Sequence, residues 1–140
     1  MSAMENVQLP LRYRNSDVDD ADERAANVLA SVGLAGREHS LPTQLSGGQQ
    51  QRIAIARALI NEPDILLADE PTGQLDSRTS AEIMGIFQRL NQERGITIIV
   101  VTHSNEVAEF AKRIITFRDG RVVDDTRESM SHAAVAEVAQ

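Results

Sequence analysis

Two apolar runs, each followed by residues that can bind a metal or move a proton, constrain the fold of this chain most. The first run is Asp64–Ala68, which is followed by Asp69 and Glu70, and the second is Ile96–Thr102, which is followed by His103. Unbroken apolar runs are typical of strands that are buried on both faces, as in parallel sheets. A helical pattern separates them, with apolar positions at Ile83, Ile86, Phe87 and Leu90. We therefore predict a strand–helix–strand unit of a parallel sheet.

The polar residues after these strands suggest chemistry at one edge of the predicted sheet. The carboxyl ends of parallel strands are where α/β proteins place their binding sites. There, Asp69 could orient a magnesium-bound water and Glu70 could polarise an attacking water. The same two carboxylates could instead cap the following loop, and His103 could be a structural histidine rather than a catalyst. These residues alone leave both interpretations open.

A second motif lies earlier in the chain, where Leu45–Arg52 has the sequence Leu-Ser-Gly-Gly-Gln-Gln-Gln-Arg before a helical pattern. Ser46 and Gln49 fit a capping box, in which each side chain hydrogen-bonds a free backbone amide of the first turn. Gly47 and Gly48 leave such amides accessible, and a helix start of this kind suits a phosphate group. Taken alone, a capped Gly-Gly turn is more often purely structural.

Composition excludes several classes of function. The 140 residues carry a formal net charge of −7, with 3% aromatic residues, which argues against nonspecific nucleic-acid binding. The chain has no cysteine, so disulfides and thiolate metal sites are excluded. No apolar run approaches the roughly 20 residues that span a bilayer, and Met1–Gln8 lacks the pattern of a signal peptide. We therefore expect a globular protein of the cytoplasm.

Other segments have simpler patterns. Asp119-Gly120 predicts a hairpin that joins Ile114–Phe117 to Val122-Val123. The tail from about Thr126 has a weak amphipathic pattern, and we predict a helix there. An acidic cluster opens an earlier helical pattern that stops at Gly33, and it could be a solvated helix start or a docking patch for a partner. Its members are Asp17, Asp19, Asp20, Asp22 and Glu23.

Together, these motifs resemble those of the ABC-family ATPases. Leu45–Arg52 resembles the family's signature motif, Asp69-Glu70 its Walker B carboxylates, Gly73–Asp76 its D-loop and His103 its switch histidine. Met4–Leu11 resembles the segment that follows the Q-loop in the lipoprotein-release, macrolide-export and cell-division group of the family. The resemblance covers residues 1 to about 123.

The resemblance implies an α/β fold, a partial P-loop NTPase with a RecA-like parallel sheet that follows part of the ABC helical subdomain. We expect residues 1–60 to form that partial subdomain with the signature motif, 61–123 the carboxyl-terminal half of the RecA-like core, and 124–140 a tail. Met1 would then lie inside the family's domain. In the family, three elements of that domain precede the position that corresponds to Met1: the Walker A loop, the Q-loop glutamine and the aromatic residue that stacks on adenine. The sequence has no Gly-x-x-x-x-Gly-Lys-Ser/Thr run.

In the family, two subunits enclose two ATP molecules head to tail, so the resemblance also implies residue roles. By this resemblance, the terminal phosphate of the partner's ATP would be contacted by Ser46, Gly47, Gly48 and Gln49. Asp69 would bind magnesium and Glu70 would be the general base. Asp76 would couple the two sites, and His103 would sense the phosphate. The implied cofactors are ATP and Mg²⁺.

The function that the resemblance implies is an ATP-hydrolysing subunit that couples ATP hydrolysis to transport. Its partners would be a second ATP-binding subunit and a transmembrane permease subunit or domain, with no nucleic acid. The permease would hold the chain at the inner face of the membrane. The chain alone is expected to be inactive because it has no Walker A loop. Two alternatives remain: a non-catalytic interaction module or degenerate gene product that keeps the signature interface, and a DNA-repair or chromosome-structure ATPase of the same superfamily. The acidic charge balance argues against the last.

Overall fold

The computed structural model describes residues 1–14 and 19–126, and the backbone of residues 134–139. The chain divides into two compact units, Met1–Pro63 and Asp64–Gln140. Within the described ranges, no helix is both long and apolar enough to cross a membrane.

In its described residues, the first unit contains three helices, α1 (Ala3–Tyr13), α2 (Ala21–Ser31) and α3 (Gly47–Leu59), and a 3₁₀ turn at Pro42–Gln44. Helices α2 and α3 confirm the two helical patterns predicted after the acidic cluster and at Leu45–Arg52. The helices pack through buried apolar side chains, among them Val7, Leu11, Val28, Leu29, Ile53 and Leu59.

Helix α2 begins within the acidic cluster. Asp20 occupies its N-cap position, and Asp22 and Glu23 lie in its first turn, where carboxylates complement the helix dipole. The helix ends before Gly33, which has the positive φ of +82° that glycine adopts without steric cost. The cluster therefore forms a helix start, except for Asp17, which lies outside the described residues.

The second unit is an α/β sheet. Its strands and helices follow in the order β1 (Ile65–Asp69), α4 (Ser77–Arg94), β2 (Thr97–Thr102), α5 (Asn105–Ala108), β3 (Arg113–Arg118), β4 (Arg121–Asp125) and β5 (Ala134–Ala139). The strand order across the sheet is β1-β2-β5-β3-β4. Strands β1, β2, β5 and β3 are parallel, and β4 pairs antiparallel with β3. The predicted parallel strand–helix–strand unit and the predicted hairpin are both confirmed.

Two predictions about this sheet are wrong. The tail was predicted to be a helix, yet residues 134–139 form strand β5 between β2 and β3, and the rest of the tail beyond Thr126 lies outside the described residues. Strand β1 was predicted to be buried on both faces, yet Ile65 and Leu67 are 59% and 69% exposed, whereas Leu66 is buried. The reason is position: β1 lies at an edge of the sheet, and only the face that carries Leu66 is covered.

Candidate functional site

The predicted signature motif forms the start of helix α3. Ser46 is the N-cap: its Oγ accepts a hydrogen bond from the backbone N–H of Gln49 at 3.2 Å. In return, the backbone N–H of Ser46 donates to Gln49 Oε1 at 2.9 Å, so the predicted capping box is confirmed. Gly47 and Gly48 hold the first two helical positions, where N–H groups have no acceptor within the helix. Because Ser46 Oγ acts as an acceptor in the cap, its hydroxyl hydrogen remains able to donate.

Two side chains of α3 fix this helix start to its surroundings within the first unit. Arg52 Nη1 donates to the carbonyl of Val32 at 3.0 Å, at the end of α2. A β-carbon at Gly33 would lie 2.5 Å from the same nitrogen, so a larger residue there would displace the end of the Arg52 side chain, and the φ of +82° at this position also favours glycine. Gln50 Nε2 donates to the carbonyl of Pro42 at 2.9 Å. The end of α2 and the turn that precedes α3 are therefore both fastened to the helix that presents Ser46.

In the second unit, the predicted carboxylates stand where β1 ends. Asp69 is the last residue of the strand and is exposed. Glu70 follows with a φ of +46°, and its backbone N–H donates to the carbonyl of Val101 on β2 at 2.7 Å. A positive φ is strained for a residue other than glycine, and such strain concentrates at functional sites.

The carboxylate of Glu70 is held by the end of β2. Its Oε1 accepts the backbone N–H of His103 at 2.8 Å, and its Oε2 accepts the hydroxyl of Thr102 at 3.3 Å. The imidazole of His103 lies nearby, with Nε2 3.7 Å from Glu70 Oε1, and its side chain is 73% exposed. The structure therefore brings together Glu70 and His103, the two residues predicted to be catalytic.

Asp76 lies at the start of helix α4 and serves as its N-cap. Its Oδ1 accepts the backbone N–H of Thr79 at 3.0 Å. Hydrogen bonds from the side chain and the backbone of Thr79 lower the pKa of Asp76 below its usual value, so the carboxylate stays ionised near neutral pH. In the structure, Asp76 thus stabilises the helix that follows β1.

A cavity of about 250 Å³ opens beside Glu70, between the start of α4 and helix α5. Hydroxyl and carboxylate groups supply much of its lining, which includes Glu70, Ser77, Ser80, Ser104, Glu106 and Phe110. The space is large enough to admit water to the Glu70 carboxylate.

The predicted site residues belong to two separate units. Ser46–Gln49 lie in the first unit, and Asp69, Glu70, Asp76 and His103 lie in the second. Within the second unit, a direct hydrogen bond connects two of these predicted residues, from the backbone N–H of His103 to Glu70 Oε1.

Sequence reasoning missed the contact of Thr102 with Glu70. Thr102 is 1% exposed and lies on the same face of β2 as the buried Ile98 and Val100. The available signal was its position, since a hydroxyl on the buried face of an apolar strand needs a hydrogen-bond partner. Its spacing from Ile98 and Val100 indicates that face, but not the partner.

Comparison with known proteins gives consistent results. The sequence profile described as ABC transporter matches residues 1–73. The macrolide export ATP-binding/permease protein MacB of Syntrophobacter fumaroxidans is 57% identical over 122 residues, which cover 86% of this chain and 17% of MacB. A dimeric structure of MJ0796, described as a bacterial ABC transporter cassette, is 44% identical with a TM-score of 0.76, over 93% of this chain and 58% of that one. A second MJ0796 structure, in a post-hydrolysis state bound to ADP and Pi, gives the same identity and coverage with a TM-score of 0.75. The chain thus spans less than a fifth of this curated relative.

Proposed function

This chain belongs to the ABC transporter family, and we propose that it works within an ATP-binding and ATP-hydrolysing subunit that drives transport through a membrane partner. The family match agrees with the resemblance inferred from the motifs, and the similarity to the MJ0796 cassette agrees with the inferred α/β fold. The name of MacB, an ATP-binding/permease protein, supports a permease partner. Such a partner would hold the subunit at the inner face of the membrane.

The orientation of Glu70 is the observation that carries the catalytic part of the proposal. A general base must be an ionisable group held within hydrogen-bond reach of the proton that it removes. Glu70 follows the end of β1 with a strained backbone, and donors from Thr102, the last residue of β2, and His103, which follows it, hold both of its carboxylate oxygens. From that position, the carboxylate would accept a proton from the attacking water, while His103 would contact the terminal phosphate.

The residues present fit a magnesium–nucleotide complex. Asp69 offers an exposed carboxylate next to Glu70 in the sequence. Within the described ranges, no group of three or more histidine, cysteine or acidic residues is arranged to hold a metal by itself. One or two carboxylates are enough for Mg²⁺ when phosphate and water complete its coordination. Asp69 would therefore hold the ion, and Mg²⁺-ATP would supply the phosphoryl group that is transferred to water.

The helix start at Ser46 would act on the ATP of a second subunit. It offers the Ser46 hydroxyl and the amides of Gly47 and Gly48, which suit a terminal phosphate through hydrogen bonding and the helix dipole. Gln49 would hold this arrangement through the capping box as well as approach the phosphate. The dimeric MJ0796 cassette supports a two-subunit arrangement, and in it Asp76 would couple the two sites.

Mixed dimers test the proposal most directly. In a complete cassette that contains these residues, one subunit would carry Ser46→Arg and the other Glu70→Gln. If the signature acts in trans, both lesions fall in the same composite site and leave the other site intact. We expect residual ATP hydrolysis from this dimer, and background hydrolysis from a dimer with both lesions on one subunit, because each of its sites then carries one lesion.

The reverse result would contradict the trans assignment. Activity from the dimer with both lesions on one subunit, together with an inactive mixed dimer, would mean that the signature serves the ATP site of its own subunit. A dimer with one wild-type subunit and one subunit carrying Glu70→Gln is the control, because it shows whether a single intact site turns over.

A second candidate function, a non-catalytic interaction module, is favoured by one observation. The sequence forms the signature helix start but contains no Gly-x-x-x-x-Gly-Lys-Ser/Thr loop to hold the β- and γ-phosphates. Such a chain could complete the site of a whole cassette without hydrolysing ATP itself. Adding the 140-residue chain to a cassette whose own signature serine is arginine tests this. Restored hydrolysis would support the module, and the same chain with Ser46→Arg should restore none.

A further inference from the structure

Thr102 is buried where β2 ends, and its hydroxyl makes two hydrogen bonds. The oxygen accepts the backbone N–H of Ser104 at 3.0 Å, and the hydrogen points to Glu70 Oε2 at 3.3 Å. A hydroxyl has one hydrogen, so an acceptor contact with Ser104 leaves that hydrogen for the carboxylate. Ser104 is itself fixed, because its side chain caps helix α5 by accepting the N–H of Val107.

The two oxygens of Glu70 therefore have separate donors on neighbouring residues. His103 donates to Oε1 from its backbone, and Thr102 donates to Oε2 from its side chain. One donor alone would let the carboxylate rotate about its last side-chain bond, whereas two donors fix its plane. The Thr102 contact is longer than the typical 2.7–2.8 Å of an O–H···O bond, so it is the weaker of the two contacts that hold the carboxylate.

We propose that Thr102 is a positioning residue that fixes the plane of the Glu70 carboxylate and so aims it at the attacking water. This inference rests on the role proposed for Glu70. The competing explanation is that Glu70 merely satisfies a buried hydroxyl, in which case Thr102 contributes to folding alone. The two explanations differ in whether removal of the hydroxyl changes turnover in a folded protein.

The first test measures kcat and KM for ATP in a complete cassette that contains these residues. Thr102→Val keeps the shape but removes the hydroxyl, and we expect kcat to fall about tenfold while KM changes less than about twofold, since loss of one hydrogen bond to a charged group has that magnitude. Thr102→Ser keeps the hydroxyl and should restore kcat to within about threefold of wild type. Thr97→Val, at the other end of β2, is the matched control and should leave both constants unchanged.

The second test does not depend on catalysis. In the same cassette, NMR would follow hydrogen exchange of the His103 backbone amide, which is protected while Glu70 Oε1 accepts it. We expect Thr102→Val to speed this exchange about fivefold or more, and Thr102→Ser to leave it near the wild-type rate. Exchange that Thr102→Val leaves unchanged would overturn the proposal, whatever happens to kcat.

The pair of measurements separates this inference from the proposed function. Faster exchange together with lower kcat supports both. Faster exchange with wild-type kcat would support positioning of the carboxylate by Thr102 but contradict the role of Glu70 as the base. A fall in kcat that Thr102→Ser does not reverse would overturn the positioning role, because the hydroxyl would then not be the group that matters.

Discussion

The backbone N–H of His103 donates a 2.8 Å hydrogen bond to Glu70 Oε1, so a side chain from the end of β1 closes onto the end of β2. An acceptor oxygen is all that this contact requires of residue 70, and glutamine also supplies one. This contact can therefore survive a change that removes the basicity of residue 70.

The first prediction follows from that separation. In a complete cassette containing these residues, Glu70→Gln should lower ATP hydrolysis at least about 100-fold, because a general base contributes 10²–10⁴-fold. ATP affinity should stay within about threefold of wild type, since the shape of the side chain and an acceptor for the His103 N–H are kept. Phosphate release and nucleotide binding measure the two effects. Glu93→Gln, an exposed position on α4, is the control and should change neither.

The second prediction concerns the 140-residue chain by itself. It should release phosphate from Mg²⁺-ATP only at the background rate, because no glycine-rich loop with its lysine neutralises the β- and γ-phosphates. A colorimetric phosphate assay with the purified chain measures this. Phosphate release well above background that Glu70→Gln abolishes would show that the chain hydrolyses ATP by other means.

Two glycines of helix α4 give a third, paired prediction about stability. Gly95 ends the helix with a φ of +66°, so Gly95→Ala should lower the free energy of unfolding by roughly 1 kcal/mol. Gly85 lies inside the helix, and apart from its chain neighbours and the helix's own backbone no atom of the described residues is within 4 Å of a β-carbon placed there, so Gly85→Ala should raise the free energy of unfolding by roughly 0.5–1 kcal/mol. Denaturant titration of both variants is the measurement. Changes of the same sign would contradict this account of α4.

The fourth prediction is a pH dependence that arises from Asp76. Hydrogen bonds from Thr79 lower the pKa of this carboxyl from its model-compound value of 3.8. A lowered pKa in the folded state adds stability above the unfolded value, and that stability disappears as pH falls through the folded value. Wild type should therefore be more stable than Asp76→Asn, a neutral cap, at neutral pH. The difference should shrink from about pH 5 downward.

Denaturant unfolding of both proteins across that range measures the effect. Asparagine can still accept the N–H of Thr79, so the comparison isolates the charge from the cap itself. A stability difference that stays constant from neutral pH to below 3.8 would show that the carboxylate charge of Asp76 has no part in it.

Features that depend on a few adjacent residues were predicted correctly from the sequence. Ser46 and Gln49 predicted a capping box, Asp119-Gly120 predicted a hairpin, and both are present with the expected geometry. Asp119 and Gly120 both have a positive φ, as a tight hairpin turn of this kind requires. Such features are decided by a few adjacent residues.

The tail shows where local rules fail. Residues 133–139 have the sequence Ala-Ala-Val-Ala-Glu-Val-Ala, and alanine has the highest helix propensity. The helix had been predicted from a weak amphipathic pattern, yet residues 134–139 pair with β2 and β3, which lie far away in sequence, so tertiary pairing overrides the local pattern. The exposure of Ile65 and Leu67 was missed for a related reason, because a strand's own residues do not determine its place in the sheet.

The sequence indicated the candidate residues of the site but not the hydrogen bonds between them. Glu70 and His103 follow neighbouring parallel strands, so their proximity follows from topology. Two further features of the site are the positive φ of Glu70 and the hydrogen bond that its carboxylate accepts from Thr102. The amino-acid sequence around Glu70 contains no pattern that predicts a positive φ at this residue.

The position of β5 has a consequence for how this sheet comes together during synthesis. Because β5 lies between β2 and β3, these two strands do not pair with each other. Each pairs instead with β5, which is translated after both of them. Pairing over such sequence separations is slow, and it leaves strand edges open while it is pending. The β3–β4 hairpin can form early on the ribosome, but it can join β1 and β2 in one sheet only after Ala134–Ala139 has emerged.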